Sequence, residues 1–229
     1  MRVLALDTAT EGCSVAIAVG DELIGRFVEM QRGHAERILD MVDAVLAEAG
    51  VALAALDGIA ASIGPGSFTG VRIGVAVAQG LAFGAQLSVV PVTTLEALAL
   101  AVLENGGDRA LACLDARMGE VYWGCFAPDA VHGLIACGPP RVSTAAAVKL
   151  PEAKRFRGIG RGFSAYPLLA TIPGMVVDPG AEQALPNARE IARIGILRLK
   201  SGAGRDPGEL EPLYLRDNVA LTEAERASK

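Results

Sequence analysis

Lysine is scarce in this chain, and the first half of the sequence has none. The 229 residues include 21 basic ones, but lysine occupies only positions 149, 154, 200 and 229. In a P-loop nucleotide site, a lysine directly after a glycine-rich turn holds the phosphate that is transferred. Because residues 1–148 contain no lysine, they cannot form a P-loop.

Metal ligands are also few. The four cysteines form no CxxC pair, and the two histidines, His34 and His132, lie far apart. A structural zinc site takes four cysteine or histidine ligands, usually in closely spaced pairs, so the sequence argues against one. We expect reduced, mostly buried cysteines. We predict that His34 caps a helix or contacts a partner and is not a base.

No apolar run is long enough to predict a membrane span. The most apolar stretch, residues 73–92, is interrupted by Gln79, Gln86 and Ser88. Near the N-terminus, Asp7 ends the apolar run after four residues, which does not fit a signal peptide. With 52% apolar and 21% charged residues, the composition is typical of a soluble protein with a substantial core. We expect a cytoplasmic protein.

Positive charge is in deficit, since the net charge is −5. A protein that grips a nucleic-acid backbone usually carries a basic stripe, so direct duplex binding is disfavoured. One basic cluster is either a solvated loop or a weak contact for an anion or RNA. It comprises Lys154, Arg155, Arg157 and Arg161.

The residues that are present predict the same order of elements twice. In the first half, alternating or apolar segments predict strands over residues 3–7, 13–19 and 23–29, then a helix over 34–49, a strand over 58–63, a helix over 69–84, a strand over 88–92 and a third helix. The third helix begins with a capping box of Thr93 and Glu96.

The second half repeats this order. The patterns predict strands over residues 110–115, 120–127 and 131–137, a helix over 144–149, a strand over 156–160, a short helix over 164–170, a strand over 175–178 and a helix over 187–200. The polar stretch from Gly202 onward is expected to pack back over the molecule.

The repetition predicts an α/β fold of two duplicated RNase H-like domains, each βββαβαβα, covering residues 1–106 and 107–229. Asp7 and Asp115 occupy equivalent places after the first strand of each half. This order resembles the actin-like ATPase superfamily, in which nucleotide binds between the halves and such aspartates face the phosphates and the metal. A strand-end aspartate that only starts a turn gives the same pattern.

A glycine-rich segment, GPGSFTGVRIG at residues 64–74, joins a strand to the second helix. Its backbone N–H groups could hold an anion at the helix N-terminus. From Val71 to Ala85 only Arg72 and Gln79 are polar, so most sides of this helix must be covered. The small residues Gly70 and Gly74 let a neighbouring element, internal or from a partner chain, approach closely.

Five segments, LALDTAT, GPGSFTGVRIG, AQGLAFG, LDARMGEVYWG and PLYLR, together resemble the bacterial TsaB family across nearly the whole chain. The resemblance implies a non-catalytic scaffold that pairs with TsaD, which transfers threonylcarbamoyl to an adenosine of certain tRNAs, and with the ATPase TsaE. Catalytic TsaD proteins place two metal-binding histidines after a Pro-Val dipeptide, where this chain has Thr94 and Leu98. A hydroxyl and an aliphatic chain cannot replace two imidazoles.

The resemblance also implies particular sites. Pairing with the TsaD-type partner, or with a second copy, is expected through the first two helices, and Met41 is taken as an exposed position of the first helix. The predicted interface residues are His34, Ile38, Met41, Val45, Gly70, Gly74 and Gln79. No catalytic residue, metal or cofactor of its own is expected, and tRNA is contacted only through the complex.

An ATP-dependent small-molecule kinase of the sugar-kinase type is the alternative. It would use the cleft between the halves, with Arg72 and Arg117 as the cations on the phosphoryl group. Under the scaffold hypothesis, ATP or ADP binds there at most weakly or through the partner complex. The candidate nucleotide or anion cleft comprises Asp7, Thr8, Gly66, Ser67, Asp115 and Arg117.

Overall fold

The structure, a computed structural model, describes residues 1–151 and 155–216. It contains two mixed β-sheets. The first sheet has the order β3-β2-β1-β4-β5, in which β1, β2 and β3 are antiparallel and β4 and β5 are parallel to β1. Its strands are β1 (Arg2–Asp7), β2 (Gly12–Val19), β3 (Glu22–Glu29), β4 (Gly58–Ser62) and β5 (Val89–Val92).

The second sheet repeats this topology, with the order β11-β10-β6-β7-β8 and an added strand, β9, beside β7. Its strands are β6 (Ala110–Arg117), β7 (Glu120–Asp129), β8 (Gly133–Ala136), β9 (Arg141–Thr144), β10 (Phe156–Ile159) and β11 (Met175–Val177). In both sheets the first strand lies between the antiparallel second strand and a later, parallel strand, β4 in the first sheet and β10 in the second. The duplicated α/β fold predicted from the sequence is therefore confirmed.

Five α-helices accompany the sheets. They are α1 (His34–Ala49), α2 (Phe68–Ala85), α3 (Thr94–Leu103), α4 (Gly162–Ala165) and α5 (Ala188–Lys200). Local chemistry fixes several of their ends. Gly50 ends α1 in the left-handed conformation, with φ 62°, which glycine adopts without steric cost. The predicted capping box of Thr93 and Glu96 starts α3.

The predicted helix over residues 144–149 is wrong. Arg141–Thr144 form strand β9, which pairs with β7, and only a single 3₁₀ turn, Ala145–Ala147, follows. The β-branched residues Val142 and Thr144 favour an extended strand. In the described residues, the second half thus has no counterpart of α1.

The largest core lies between the two sheets and is built by helices that cross over. Helix α3 follows the first sheet in sequence but packs on β6 and β7, whereas α5 follows the second sheet but packs on β1, β2 and β4. Gly195 of α5 lies so close to Ala60 of β4 that an added Cβ would come within 2.6 Å of the Ala60 Cβ. The boundary at residues 106 and 107 falls between α3 and β6, and the division into two domains there stays a prediction.

Helices α1 and α2 cover the other face of the first sheet. Their buried side chains join Leu4, Leu6 and Ile17 in a second core. Met41 belongs to this core and is 5% exposed, so its interpretation as an exposed position of the first helix is wrong. At 100° per residue Met41 lies beside Ile38 and Val45 and is drawn into the same apolar face.

Helix α2 is the only described helix that is long and apolar enough to cross a membrane by length and composition. Core helices of globular proteins meet the same criterion, and α2 packs against β4 through its buried residues Val71, Val75 and Ala78.

The polar stretch that was expected to pack back does so over residues 203–216, here called the C-terminal strap. Arg205 pairs with Val89 at the edge of the first sheet. Further along, the backbone N–H of Leu213 donates to the Ile63 carbonyl at 2.7 Å, and Leu210 is buried in the core under α2. The strap thus crosses α2 and reaches the second sheet at Arg216, whose guanidinium donates to the Ala116 carbonyl.

Candidate functional site

A cleft of about 770 Å³ opens between the ends of β1 and β6. The first half contributes the β1–β2 turn, the segment before α1 and the start of α2, and the second half contributes the end of β6 and residues of α4. Most residues predicted for a nucleotide or anion cleft line it, namely Thr8, Gly66, Ser67, Asp115 and Arg117. His34 and Gly70, predicted for the partner interface, line it too.

Asp7 is completely buried at the end of β1. Its Oδ1 accepts a hydrogen bond from the Ala9 backbone N–H at 3.0 Å, while Oδ2 has no hydrogen-bond partner among the described residues. Burial raises the pKa of Asp7 from 3.8 to about 6, against the opposing effect of the backbone hydrogen bond from Ala9. The Asp7 carboxyl is therefore buried in the core, and its hydrogen bond with Ala9 lies at the start of the β1–β2 turn.

The glycine-rich loop holds the start of α2 against the β1–β2 turn. A Cβ at Gly66 would overlap the Ala9 carbonyl, and one at Gly70 would overlap the Thr8 carbonyl. The Ser67 N–H donates to the Ala9 carbonyl at 2.7 Å, and the Ser67 side chain caps the Gly70 N–H. These N–H groups are committed to internal partners, so the loop presents fewer donors to an anion than its sequence suggests.

On the other side of the cleft, charged side chains pair across the two halves. Arg117 donates to Asp115 Oδ2 at 3.0 Å and to Glu11 Oε1, on the β1–β2 turn, at 3.1 Å. Arg161 donates to Glu29 Oε1 at 2.6 Å, and the Tyr166 hydroxyl donates to Asp115 Oδ1 at 3.4 Å. Both arginines are thereby neutralised by carboxylates, which leaves less positive charge for a transferring phosphoryl group.

The predicted basic cluster is dispersed in the structure. Arg157 pairs with Asp178 at 2.5 Å, and Arg161 faces the carboxylates of the cleft. Arg155 is exposed, and Lys154 lies outside the described residues.

His34 stands at the first position of α1 and is largely buried. Its Nε2 lies 2.9 Å from the Thr10 carbonyl oxygen, to which it donates. No carboxylate is paired with its ring within the part of the chain that the structure describes. This bond links the segment before α1 to the β1–β2 turn at the cleft wall.

Several predicted interface residues point into the protein. Ile38, Met41 and Val45 are buried under α1, and Gly74 faces Thr8, whose Oγ1 would lie 2.8 Å from an added Cβ. Gln79 donates to the Pro207 and Leu210 carbonyls of the strap at 3.0 and 3.2 Å. These residues therefore lie away from the exposed surface of α1 and α2, and their role in a partner interface stays a prediction.

Beside the exposed Arg72 and Phe83, the exposed surface of α2 carries an uncharged stripe. Its members are exposed or half-buried and small or apolar, and the glycines in it have open space around their Cα atoms. We call this the α2 stripe; it comprises Thr69, Ile73, Ala76, Val77, Gly80 and Gly84.

Glu11 was not predicted for the cleft from the sequence, and Arg161 was named only in the basic cluster. Nothing local marks residues that meet only after the two halves fold. The strap residues Tyr214 and Arg216 lie in the PLYLR segment, one of the five segments that carry the family resemblance, for which the sequence predicted no role.

Thr94 and Leu98 are both buried. The Thr94 hydroxyl donates to the Pro65 carbonyl at 2.6 Å, and Leu98 is buried in the core between the sheets. Within residues 1–151 and 155–216, no three histidine, cysteine or acidic side chains are grouped so that they could hold a metal ion. Burial raises the pKa of Cys13 to about 11 and that of Cys125 to about 12, so these thiols stay protonated and are poor nucleophiles.

Comparisons with known proteins agree with one another. The sequence model of TsaD, described as tRNA N6-adenosine threonylcarbamoyltransferase, matches residues 28–224. The chain is 40% identical to the tRNA threonylcarbamoyladenosine biosynthesis protein TsaB of Escherichia coli strain K12, over 96% of each chain. It is 38% identical to TsaB of Haemophilus influenzae, over 96% of this chain and 95% of that one.

A solved structure, YeaZ from Pseudomonas aeruginosa, superposes with a TM-score of 0.86 at 38% identity, over 93% of this chain and 99% of that one. Sequence identity and fold therefore lead to the same conclusion: the chain belongs to the TsaB family of tRNA threonylcarbamoyladenosine biosynthesis proteins.

Proposed function

We propose that this chain is a non-catalytic subunit in the biosynthesis of threonylcarbamoyladenosine in tRNA. It pairs with a TsaD-type transferase, works in the cytoplasm with a TsaE-type ATPase, and contacts tRNA only through the complex. The names of the relatives, which are tRNA threonylcarbamoyladenosine biosynthesis proteins, support the pathway. The subunit role rests on features of this chain.

The α2 stripe carries the proposal. Helix α2 contains one charged residue in 18, the exposed Arg72, and the α2 stripe beside it is uncharged. Exposed apolar surface of this kind marks a protein-binding site in soluble proteins. Glycine and alanine at positions 76, 80 and 84 let a partner helix approach closely. In the absence of the transferase, a second copy of the chain can cover the same stripe.

The absence of catalysis follows from Thr94 and Leu98. Both lie where the resemblance puts the metal-binding histidines of the transferase, and neither can bind a metal from its buried position. The cleft offers no substitute, because Arg117 and Arg161 are paired with carboxylates. The comparisons lend no support to the kinase alternative.

A reconstitution experiment tests this function. The purified chain, a TsaD-type transferase and a TsaE-type ATPase from one organism are incubated, singly and together, with ATP, an activated threonylcarbamoyl donor and unmodified tRNA. Threonylcarbamoyladenosine is then measured by mass spectrometry of the digested nucleosides. The chain alone is expected to give no product and no ATP turnover, and its omission from the mixture should abolish the product. Product from the chain alone, or full product without it, would refute the subunit role.

A further inference from the structure

Two cysteines stand opposite each other at the end of the β7–β8 ladder. The register that pairs Phe126 with Ala136 continues one residue further, because the N–H of Cys137 donates to the Cys125 carbonyl at 2.8 Å. Residues opposite each other at such a position of an antiparallel pair have Cα atoms about 5.5 Å apart and side chains on one face. A disulfide requires a Cα separation of about 4.4–6.8 Å. The backbone therefore holds the two thiols within reach of a disulfide.

Cys137 is the more accessible of the two thiols. It is half-buried and packs against a hydrophobic cluster of the second half that includes Trp123 and Cys125. The Arg109 Nη1–H donates to its Sγ at 3.4 Å. A guanidinium beside a sulfur favours the thiolate, which is the form that reacts with electrophiles. Cys137 is thus the thiol that first meets a reagent from solvent.

Cys125 lies behind it and is 5% exposed. Burial, together with the neighbouring Cys137, raises the pKa of Cys125 to about 12 against the opposing charge of Arg141. The influence of Cys137 on this pKa agrees with the two sulfurs being neighbours. Cys125 therefore stays protonated toward reagents in solvent and reacts only with a group that Cys137 presents to it.

We propose that Cys137 and Cys125 form a site of reversible oxidation by peroxides. The Cys137 thiolate attacks one peroxide oxygen, the O–O bond breaks, and the released alkoxide or hydroxide takes up a proton, which leaves a sulfenic acid on Cys137. The Cys125 sulfur then attacks the Cys137 sulfur, the S–O bond breaks, and the hydroxide leaves with the proton of Cys125 as water. The peroxide is reduced by two electrons and the two thiols are oxidised to a disulfide, which a small dithiol reduces again.

The other two thiols lack this arrangement. Cys13 and Cys113 are completely buried, and burial raises the pKa of Cys113 well above its usual range. Metal binding does not compete for the pair, because residues 1–151 and 155–216 contain no group of three histidine, cysteine or acidic side chains that could hold a metal ion. The pair lies on the second sheet, whereas α2 packs on the first, so its oxidation is independent of the proposed pairing with a transferase.

Peptide mapping tests the site on the intact chain. The native protein is treated with graded hydrogen peroxide, denatured, alkylated with iodoacetamide and digested with trypsin. Because trypsin cleaves after lysine and arginine, Cys125 and Cys137 remain in one peptide, residues 118–141, and Cys13 and Cys113 fall in two others. A disulfide is read as the loss of two hydrogen atoms and of both alkylation sites within that one peptide.

Three variants separate the roles of the side chains. In Cys125→Ala, which keeps a small apolar side chain, Cys137 has no partner and its sulfenic acid is trapped with dimedone. Arg109→Gln removes the cation beside Cys137 and should slow its oxidation about threefold. Arg205→Gln, at an exposed arginine of the strap, is the matched control and should react at the wild-type rate.

In the wild type, we expect the disulfide at peroxide concentrations that leave Cys13 and Cys113 unmodified, and dithiothreitol should restore both thiols. The oxidised protein should still melt cooperatively. Equally fast oxidation of Cys13 or Cys113, oxidation of Cys137 without a bond to Cys125, or the wild-type rate in Arg109→Gln would overturn the proposal. Loss of cooperative melting before the disulfide forms would overturn it as well, because unfolding and not the folded geometry would then bring the thiols together.

Discussion

Asp7 and Asp115 illustrate how two equivalent positions acquire different chemistry. Both follow the apolar run of the first strand in their half, β1 or β6, and the duplicated topology places them alike. Asp115 faces the cleft and pairs with Arg117, whereas Asp7 is completely buried and has one unpartnered oxygen. The sequence predicted the equivalence, but not the difference in burial, which depends on the residues that pack around each aspartate.

Asp7 gives the chain a measurable pH dependence. Its folded-state pKa of about 6 exceeds the ordinary value of 3.8, so the folded state binds the proton more tightly than the unfolded state does. Its contribution to the free energy of unfolding is complete below about pH 4 and is lost as the pH rises through about 6. The difference between a pKa of 3.8 and one of about 6 corresponds to about 3 kcal/mol in the free energy of unfolding.

The variant Asp7→Asn keeps an acceptor for Ala9 and removes this titration. We expect the stability of the wild type relative to Asp7→Asn to fall by about 2 kcal/mol between pH 4 and pH 7, as measured by urea unfolding. Asp43→Asn, on the exposed side of α1, serves as the control and should follow the wild type. Parallel pH profiles for the wild type and Asp7→Asn would contradict the assigned burial of a titrating carboxyl.

At the scale of elements, the regular patterns were predictable and the contacts between elements were not. Helix α1 begins and ends at the predicted residues, and α3 has the predicted cap. The predicted interface, in contrast, included Met41 and Gln79, which face the core and the strap. Periodicity shows which residues share a face, but not which neighbouring segment covers that face. For Gln79 that segment is the strap, at Pro207 and Leu210.

Gln79 connects helix α2 to the C-terminal strap. Its amide holds two strap carbonyls, which would lose these partners in Gln79→Ala. We expect a loss of about 1–2 kcal/mol of stability and faster hydrogen exchange at Leu213, whose N–H bonds to Ile63. Exchange in α3 should not change. Unchanged protection of Leu213, read by mass spectrometry of proteolytic fragments, would show that the strap is held by other contacts.

At the scale of the whole molecule, the crossing of α3 and α5 ties the halves together. Residues 1–106 include α3, which packs on the second sheet, but lack α5, which packs on the first. The sequence predicted two similar halves but contained no signal for this exchange, because both helices have the apolar faces that either sheet could accept. Without α5 and its buried residues Ile191 and Ile194, one face of the first sheet would be exposed to solvent.

A fragment of residues 1–106 is therefore expected not to fold alone. Its circular dichroism should lack a cooperative thermal transition, and co-expression with residues 107–229 should restore one, since the second fragment supplies α5. A fragment 1–106 that melts cooperatively as a monomer would contradict the shared core and favour two independent domains.

The central claim is that this chain acts by pairing with a transferase through the α2 stripe. The most direct test is the affinity of the chain for a TsaD-type transferase, measured by isothermal titration calorimetry. Ala76→Arg places a charge in the exposed stripe, and Ala146→Arg places the same charge on an exposed residue of the second half. Ala76→Arg should weaken binding tenfold or more, at an expected cost of roughly 1–3 kcal/mol, with an unchanged melting temperature, while Ala146→Arg binds normally. Wild-type affinity in Ala76→Arg would contradict the account.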